Sequence, residues 1–292
     1  FLPSGAIAYN LYIKKDTPSL VSQLSEQGYE CIAMHPEKAT NFNRNQVYPR
    51  LGFSQFLTED DFTDVVKIRE LCSDQSVYDK MIDVYENKQE GQKLFLYGVT
   101  MQNHGGYTYE GEDFTPLVQT VGLNKTYDKV NQYLTCMRYT DEALENLIGY
   151  FSDVDEHVMI VMFGDHHEDV GSDFYEELYG KKLIDVEGEQ YETRYETPFF
   201  IWTNYEIGEK ADEKISLNYL STLAMQTANI PLTEYQSFLA ELQSHYPVIS
   251  AAGIYDAEGN FYTWNNVEES ADYSYMKEYQ ILEYYMLENY KK

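Results

Sequence analysis

The stretch VMIVMFGDHHED, residues 158–169, joins a short apolar run to a loop that is rich in metal-ligand side chains. An unbroken apolar run followed by glycine is typical of a strand that is buried on both faces and ends at a turn. Two further apolar runs, at 29–34 and 94–101, are each followed within a few residues by a histidine, and helical patterns separate the runs. This alternation predicts an α/β fold in which helices sandwich a mostly parallel sheet.

Helical periodicity is clearest between about residues 125 and 151. Its apolar residues recur at 130, 134, 137, 144, 148 and 151, so they share one face and form core rather than a ligand stripe. An earlier helix is predicted to start at Asp16-Thr17-Pro18 and to end at Gly28, since these residues supply a cap, a first-turn proline and a stop. Further helices are expected at 75–87, 217–228 and 232–246, and a strand at 199–202.

The pattern changes after Pro247. Apolar residues at 249–254, turn-forming residues at 256–260 and a second apolar run at 261–264 predict a β-hairpin, with a helix at 274–290. We therefore expect a catalytic-type domain over residues 1–247 and a small C-terminal antiparallel α+β subdomain over 248–292.

Charge and composition exclude several classes of protein. The 292 residues include 21 Lys and Arg against 49 Asp and Glu, and the net charge of -28 would repel nucleic acid. The longest apolar run, at 158–163, is far shorter than the roughly 18 residues that span a bilayer, so the chain is expected to be soluble. Its three cysteines are widely separated and are predicted to be core thiols.

Candidate functional residues follow the predicted strands, where open α/β sheets bind ligands. His35 and Arg44 follow the first strand, His104 follows the second, and Asp165 with His166 follow the third. Carboxylate oxygen and imidazole nitrogen suit Zn²⁺ or Mn²⁺, while an arginine can fork onto phosphate or sulfate oxygens. These side chains are predicted to meet in one cleft.

Simpler interpretations stay open for each candidate. The GDHH sequence at 164–167 could be a capped loop whose histidines are hydrogen-bonded, and His104 could satisfy backbone groups of its own loop. Arg44 could be a surface residue, as a lone arginine commonly is.

Three motifs follow one another along the chain: QGYECIAMHPEKATNFNRNQVYPRLGF at 27–53, TMQNHGGY at 100–107 and VMFGDHHE at 161–168. Together they resemble the sulfatase-like branch of the alkaline phosphatase superfamily, most closely the lipoteichoic acid synthase type of phosphoglycerol transferase. The family patterns are a histidine followed after a spacer by aromatic-Asn-Arg, then T-x-x-NH-x-x-Y, then GDH. The resemblance covers most of residues 1 to about 250, and it implies an alkaline-phosphatase-like fold.

The resemblance also implies roles for these residues. Asp165 and His166 would bind a divalent metal, Mn²⁺ first and Zn²⁺ or Mg²⁺ as alternatives, although the metal could be absent from this chain on its own. His104 would be catalytic, contacting the substrate phosphoryl or leaving group. Arg44 and His35 would line the pocket for a glycerophosphate or phosphoglycolipid substrate.

Two positions depart from the family pattern in this substrate pocket. Phe42, a substrate-binding residue by the resemblance, stands where the family commonly has tryptophan, and Glu37 stands near a position that is often aspartate. The details of the glycerophosphate pocket could therefore differ.

By the same resemblance, the family's threonine nucleophile and remaining acidic metal ligand precede the segment that begins FLPSG at residues 1–5. The chain starts with Phe1 rather than Met. We therefore expect a piece of a longer protein that is anchored at the outer face of a bacterial plasma membrane or secreted. The piece alone would be incomplete for catalysis.

The sequence leaves three functions in competition. The leading hypothesis is a metal-dependent phosphoglycerol transferase or phosphodiesterase that acts on cell-envelope glycerophosphates. The alternatives are a catalytically silent module that binds phosphorylated ligands or glycans, and a sulfuric ester hydrolase. None of the three cysteines lies in the Cys/Ser-x-Pro-x-Arg signature of true sulfatases, which favours phosphoester chemistry. Nothing in the sequence indicates the oligomeric state.

Overall fold

The computed structural model describes residues 7–290, so the prediction about the FLPSG start lies outside the described residues. Within the described residues the chain divides into two units, residues 7–150 with 285–290 and residues 151–284. In chain order, the first unit contains α1 (Ala8–Leu11), α2 (Leu20–Glu26), β1 (Tyr29–Met34), α3 (Arg44–Leu51), β2 (Gln55–Leu57), β3 (Lys67–Ile68), β4 (Leu71–Cys72), α4 (Asp74–Glu86), β5 (Lys93–Gly98) and most of α5 (Asp128–Ser152).

A parallel sheet with strand order β2-β1-β5 forms the centre of the first unit. The central strand β1 is the most buried, and its last four residues are enclosed because helices and neighbouring strands cover them. Met34, at the end of β1, pairs with both Leu57 and Gly98. The three strands therefore end at one edge, and the loops that carry His35 and His104 leave from that edge.

The start of α2 differs from the prediction. Ser19, rather than the Asp16-Thr17-Pro18 segment, caps the helix, because Ser19 and Ser22 exchange side-chain and backbone hydrogen bonds in a capping box. The hydroxyl of Ser19 also donates to the Leu51 carbonyl at 2.6 Å. This tertiary contact favours the later start.

The second unit contains two antiparallel sheets and several helices. In chain order its elements are β6 (Met159–Phe163), α6 (Ser172–Tyr179), α7 (Gly188–Glu192), β7 (Phe199–Thr203), α8 (Leu217–Thr227), α9 (Glu234–His245), β8 (Val248–Ile249), β9 (Gly253–Tyr255), β10 (Phe261–Thr263) and α10 (Tyr273–Tyr290), whose end belongs to the first unit. Strands β6 and β7 pair antiparallel over five residues. The loop after β6 therefore lies beside the segment that leads into β7.

The C-terminal sheet has three strands, β10-β9-β8, rather than the predicted hairpin alone. The apolar run at 249–254 is broken because Ser250 accepts from the Ala252 and Gly253 amides and turns the chain. Its residues share one core with α8 and α9, centred on Tyr219, Leu242, Tyr246, Ile254 and Met276. The predicted domain boundary at residue 247 stays a prediction.

The α/β fold class is confirmed, because helices accompany a parallel sheet and a small antiparallel sheet lies toward the C-terminus. All three cysteines are free and buried, as predicted. Among residues 7–290, no helix is both long enough and apolar enough to cross a membrane.

Candidate functional site

His35 lies directly after β1 and is 1% exposed. Its backbone amide donates to the Leu57 carbonyl at 3.0 Å, which fixes the imidazole at the edge of the sheet. Burial, followed by the charge of Arg44 and the nearby His104, lowers the pKa of His35 to about 4. The imidazole is therefore neutral at neutral pH, and its buried Nδ1 has no hydrogen-bond partner among the described residues.

Arg44 is buried at the start of α3, with 9% of its surface exposed. It is thus not the surface residue of the simpler interpretation. Its Nη1 is buried without a hydrogen-bond partner in the described part of the chain. The guanidinium carbon lies 5.2 Å from the ring centre of Phe42, which is 52% exposed. Arg44 therefore has unused donor capacity behind an exposed aromatic ring.

The turn that carries Phe42 is strained. Phe42 and Asn43 have φ values of 54° and 56°, in the left-handed region that residues other than glycine rarely adopt. Asn43 is held there by a side-chain hydrogen bond to Asn10 at 2.7 Å. Such strain is concentrated at ligand-binding positions, so the turn is consistent with a site.

His104 lies in the loop after β5, and its imidazole is exposed. Its amide donates to the Met101 carbonyl at 2.9 Å. The side chain makes no hydrogen bond that the structure shows within residues 7–290. The charges of Arg44 and His104 both contribute to the lowered pKa of His35, so these two residues lie in the neighbourhood of His35 in the first unit.

A buried polar network anchors the residues just before His104. The Gln102 amide group donates to the Cys136 carbonyl and to the Thr140 hydroxyl, both at 3.1 Å. Asn103 donates to the same hydroxyl at 2.7 Å, and that hydroxyl donates to the Asp74 carboxylate at 2.6 Å. The loop is therefore tied to α4 and α5, and burial raises the pKa of Asp74.

Asp165 and His166 lie after β6 in the second unit and are exposed. Asp165 Oδ2 and His166 Nε2 are 3.6 Å apart, while His166 Nδ1 is 2.9 Å from the His167 carbonyl. That backbone hydrogen bond is the main cause that raises the pKa of His166, with Asp165 and Glu168 adding to it.

This pair fits half of a metal site. Two ligands at about 2.1 Å from one tetrahedral ion lie about 3.4 Å apart, close to the observed separation. A metal-binding histidine commonly donates its other ring nitrogen to a backbone carbonyl, as His166 Nδ1 would to His167. Within the described residues, no cluster of three or more His, Cys, Asp or Glu side chains could hold an ion. The predicted common cleft of Asp165 and His166 with the first-unit residues stays a prediction.

A surface cavity of about 450 Å³ lies elsewhere in the first unit. It is lined by residues from the beginnings of the three parallel strands and the end of α4, among them Glu30, Gln55 and Leu94. It is therefore at the opposite edge of the sheet from His35 and His104.

Sequence reasoning missed Arg69 and Asp74. Arg69 is 5% exposed, and its Nη2 donates to the backbone carbonyls of Gln102 and His104. Asp74 is fully buried at the start of α4. Their places depend on contacts about 30 residues or more away in sequence, so no local pattern could have indicated them.

Comparisons with known proteins identify the family. The sequence model of the Sulfatase family matches residues 5–230. A Rhizobium meliloti (strain 1021) protein named for cyclic β-1,2-glucan modification is 28% identical over 255 residues, covering 85% of this chain and 39% of the relative. The lipoteichoic acid synthase of Staphylococcus aureus (strain USA300) is 28% identical over 190 residues, covering 62% of this chain and 28% of the synthase. The chain thus spans about two fifths or less of these relatives.

Solved structures give the same result. The phosphoglycerol transferase GacH of Streptococcus pyogenes, solved in complex with sn-glycerol-1-phosphate, has a TM-score of 0.68 at 25% identity, over 85% of this chain and 62% of GacH. The C-terminal periplasmic domain of Escherichia coli EcEptC, solved with Zn, has a TM-score of 0.56 at 21% identity, over 78% and 69%. The second likeness supports the fold alone. Because the family model matches most of this chain, the chain belongs to the sulfatase family, in the lipoteichoic acid synthase-like branch of the alkaline phosphatase superfamily.

Proposed function

We propose that this chain forms the substrate-binding part and half of the metal site of a phosphoglycerol transferase or phosphodiesterase that acts on glycerophosphate-type substrates of the bacterial cell envelope. One observation carries the proposal: His35 Nδ1 and Arg44 Nη1 are buried polar atoms without hydrogen-bond partners among the described residues. Such groups are costly to leave unpaired, so a ligand with oxygen acceptors would stabilise them. The similarity to GacH, solved with sn-glycerol-1-phosphate, supports this class of ligand.

The three first-unit residues have distinct parts in the proposal. Arg44 donates to phosphoryl oxygens, and Phe42 covers the guanidinium from the solvent side. His35 stays neutral, because its pKa is about 4, and it contacts the ligand without adding charge. His104 is exposed and offers its imidazole to the phosphoryl or the departing oxygen as a proton donor. We assign the nucleophile to no residue of this chain.

Asp165 and His166 would hold a divalent metal, for which we propose Mn²⁺. A bound divalent ion lowers the pKa of an attacking hydroxyl and polarises a phosphoryl oxygen. The hydrogen bond between His166 Nδ1 and the His167 carbonyl leaves Nε2 free to face the ion. We further propose that the whole protein works at the outer face of the bacterial plasma membrane.

Calorimetric titration with sn-glycerol-1-phosphate tests the binding pocket. We expect the wild-type chain to bind and the Arg44→Met variant to bind about 10 to 100 times more weakly, the loss expected when a charged donor is removed. Arg138→Met is the matched control, because Arg138 is exposed and pairs with Glu142 on its own helix. Absence of binding by the wild-type chain would refute the proposal.

The metal half-site needs a separate titration with Mn²⁺, Zn²⁺ and Mg²⁺. Asp165→Asn and His166→Gln should each weaken binding, whereas His167→Gln should not, because His167 contacts the Glu196 carbonyl instead. Equal affinities in all three variants would contradict the assignment.

A binding module without turnover is the second candidate. The described residues offer only two side chains at the metal position, which favours it for the chain by itself. The whole protein separates the two candidates: absence of phosphodiester hydrolysis in the presence of Mn²⁺, despite tight binding of the phosphate ester, would support this candidate, whereas hydrolysis that is lost in His104→Ala would support the transferase or phosphodiesterase. Hydrolysis of an aryl sulfate would instead indicate a sulfuric ester hydrolase.

A further inference from the structure

Arg69 contacts the loop of His104 at three points. Its Nη2 donates to the Gln102 carbonyl at 2.8 Å and to the His104 carbonyl at 3.0 Å. Its guanidinium carbon lies 4.4 Å from the ring centre of Tyr107, which is 1% exposed. One buried side chain therefore contacts the backbone before and at His104 and the side chain of Tyr107 after it.

The position of Arg69 is itself strained. Arg69 and Glu70 form the two-residue turn between β3 and β4, and their φ values are 51° and 67°. Hairpin turns of this kind favour Asn-Gly, because residues with a Cβ atom are unfavourable in the left-handed region by about 1–2 kcal/mol each. Strain of this kind persists where surrounding contacts over-determine it, and here those contacts are made to the His104 loop.

The charge of Arg69 is not neutralised by a carboxylate. No ion pair among residues 7–290 involves it, and its Nε is buried without a hydrogen-bond partner there. A buried cation without a counter-ion is unfavourable, so it is not explained as a contribution to stability. The planar guanidinium donates both hydrogen bonds from Nη2 while its face lies over the Tyr107 ring, a planar stacking that the compact ammonium of lysine does not provide.

We propose that Arg69 is a positioning residue: it holds the loop at residues 102–107 so that His104 faces the phosphoryl group. The inference rests on the proposed function, since it assigns His104 to ligand contact. Arg69 acts through the backbone of His104 and through the ring of Tyr107, and it does not touch the ligand. Loss of the guanidinium should leave the fold in place and let the loop sample other conformations.

Hydrogen exchange measures the loop directly and needs no ligand. In Arg69→Met, amide exchange over residues 101–107 should speed up at least about tenfold, the effect of losing two hydrogen bonds from a charged donor. Arg69→Lys should lie between this variant and the wild type. Arg138→Met should match the wild type. Unchanged exchange in Arg69→Met would overturn the inference, whatever the chain binds.

A double-mutant cycle on affinity for sn-glycerol-1-phosphate separates positioning from a general structural role. Arg69→Met should weaken binding about tenfold in the wild-type background and have no further effect in a His104→Ala background, because it acts through His104. The same loss in both backgrounds would overturn the inference. If the wild-type chain binds no phosphate ester, the proposed function fails, while the exchange experiment still decides the role in the loop. Should Arg69→Met not fold, Arg69→Lys replaces it in both experiments.

Discussion

Protonation of His35 should destabilise the folded chain as the pH falls. Burial, then Arg44, then His104, lower the pKa of this imidazole from 6.5 to about 4. Between these values the unfolded chain binds a proton that the folded chain does not, so the stability is present above the unfolded pKa and is lost as the pH falls toward the folded one. The free energy of unfolding should decrease by about 2 kcal/mol between about pH 8 and about pH 5 through this residue.

Urea unfolding at these two pH values measures the effect. Many carboxylates also titrate on acidification, so the informative quantity is the difference between the wild type and His35→Gln. The variant should lose about 2 kcal/mol less than the wild type over the same interval. His157→Gln is the control, because it removes an exposed imidazole instead of the buried one. Equal pH dependence in the wild type and His35→Gln would refute the argument.

Three further predictions concern the backbone and the buried network. Gly149→Ala should raise the free energy of unfolding by about 0.5–1 kcal/mol in thermal or urea unfolding, because Gly149 lies inside α5 and an added Cβ would meet nothing within 4 Å. Gly52→Ala should destabilise by about 2 kcal/mol or more, since Gly52 has a φ of 104° and its Cβ would lie 2.9 Å from the backbone of Ser22; Gly28→Ala, with a positive φ but open space, should be milder. Burial raises the pKa of Asp74, so its stability contribution is greatest below the unfolded pKa and is lost as the pH rises. The free energy of unfolding of Asp74→Asn relative to the wild type should therefore increase from pH 4 to pH 7. A constant difference would contradict this.

The strands and helices could be predicted because their signals are local. The apolar run at 158–163 became β6 over Met159–Phe163, and the periodic segment at 125–151 became α5 over Asp128–Ser152. Errors arose where side-chain hydrogen bonds decide an element's end. Ser19 starts α2 because it forms a capping box with Ser22 and its hydroxyl donates to the Leu51 carbonyl, and the 249–254 run is broken because Ser250 accepts from two nearby amides.

The candidate site divides in the same way. His35 and His104 could be placed at one edge of the sheet from their positions after strands, and the loops that carry them leave from that edge. Arg69 could not, because its partner carbonyls are 33 and 35 residues away in sequence. Its role depends on a left-handed turn conformation that an Arg-Glu sequence disfavours, so turn propensity would not have predicted it.

The chain has a net charge of -28, but the electrostatics of the pocket depend mainly on the charges close to it. The Debye length at physiological salt is about 8 Å, so distant surface carboxylates are largely screened from a ligand at the sheet edge, whereas groups in contact with it are not. Arg44 and Arg69 are both buried, and neither joins an ion pair among the described residues. Burial keeps their charges from being screened and from being neutralised by neighbouring carboxylates. On the proposed function, an acidic chain therefore recognises a phosphate ester through the buried Arg44 at its site, while Arg69 positions the loop of His104, rather than by attracting the anion from a distance.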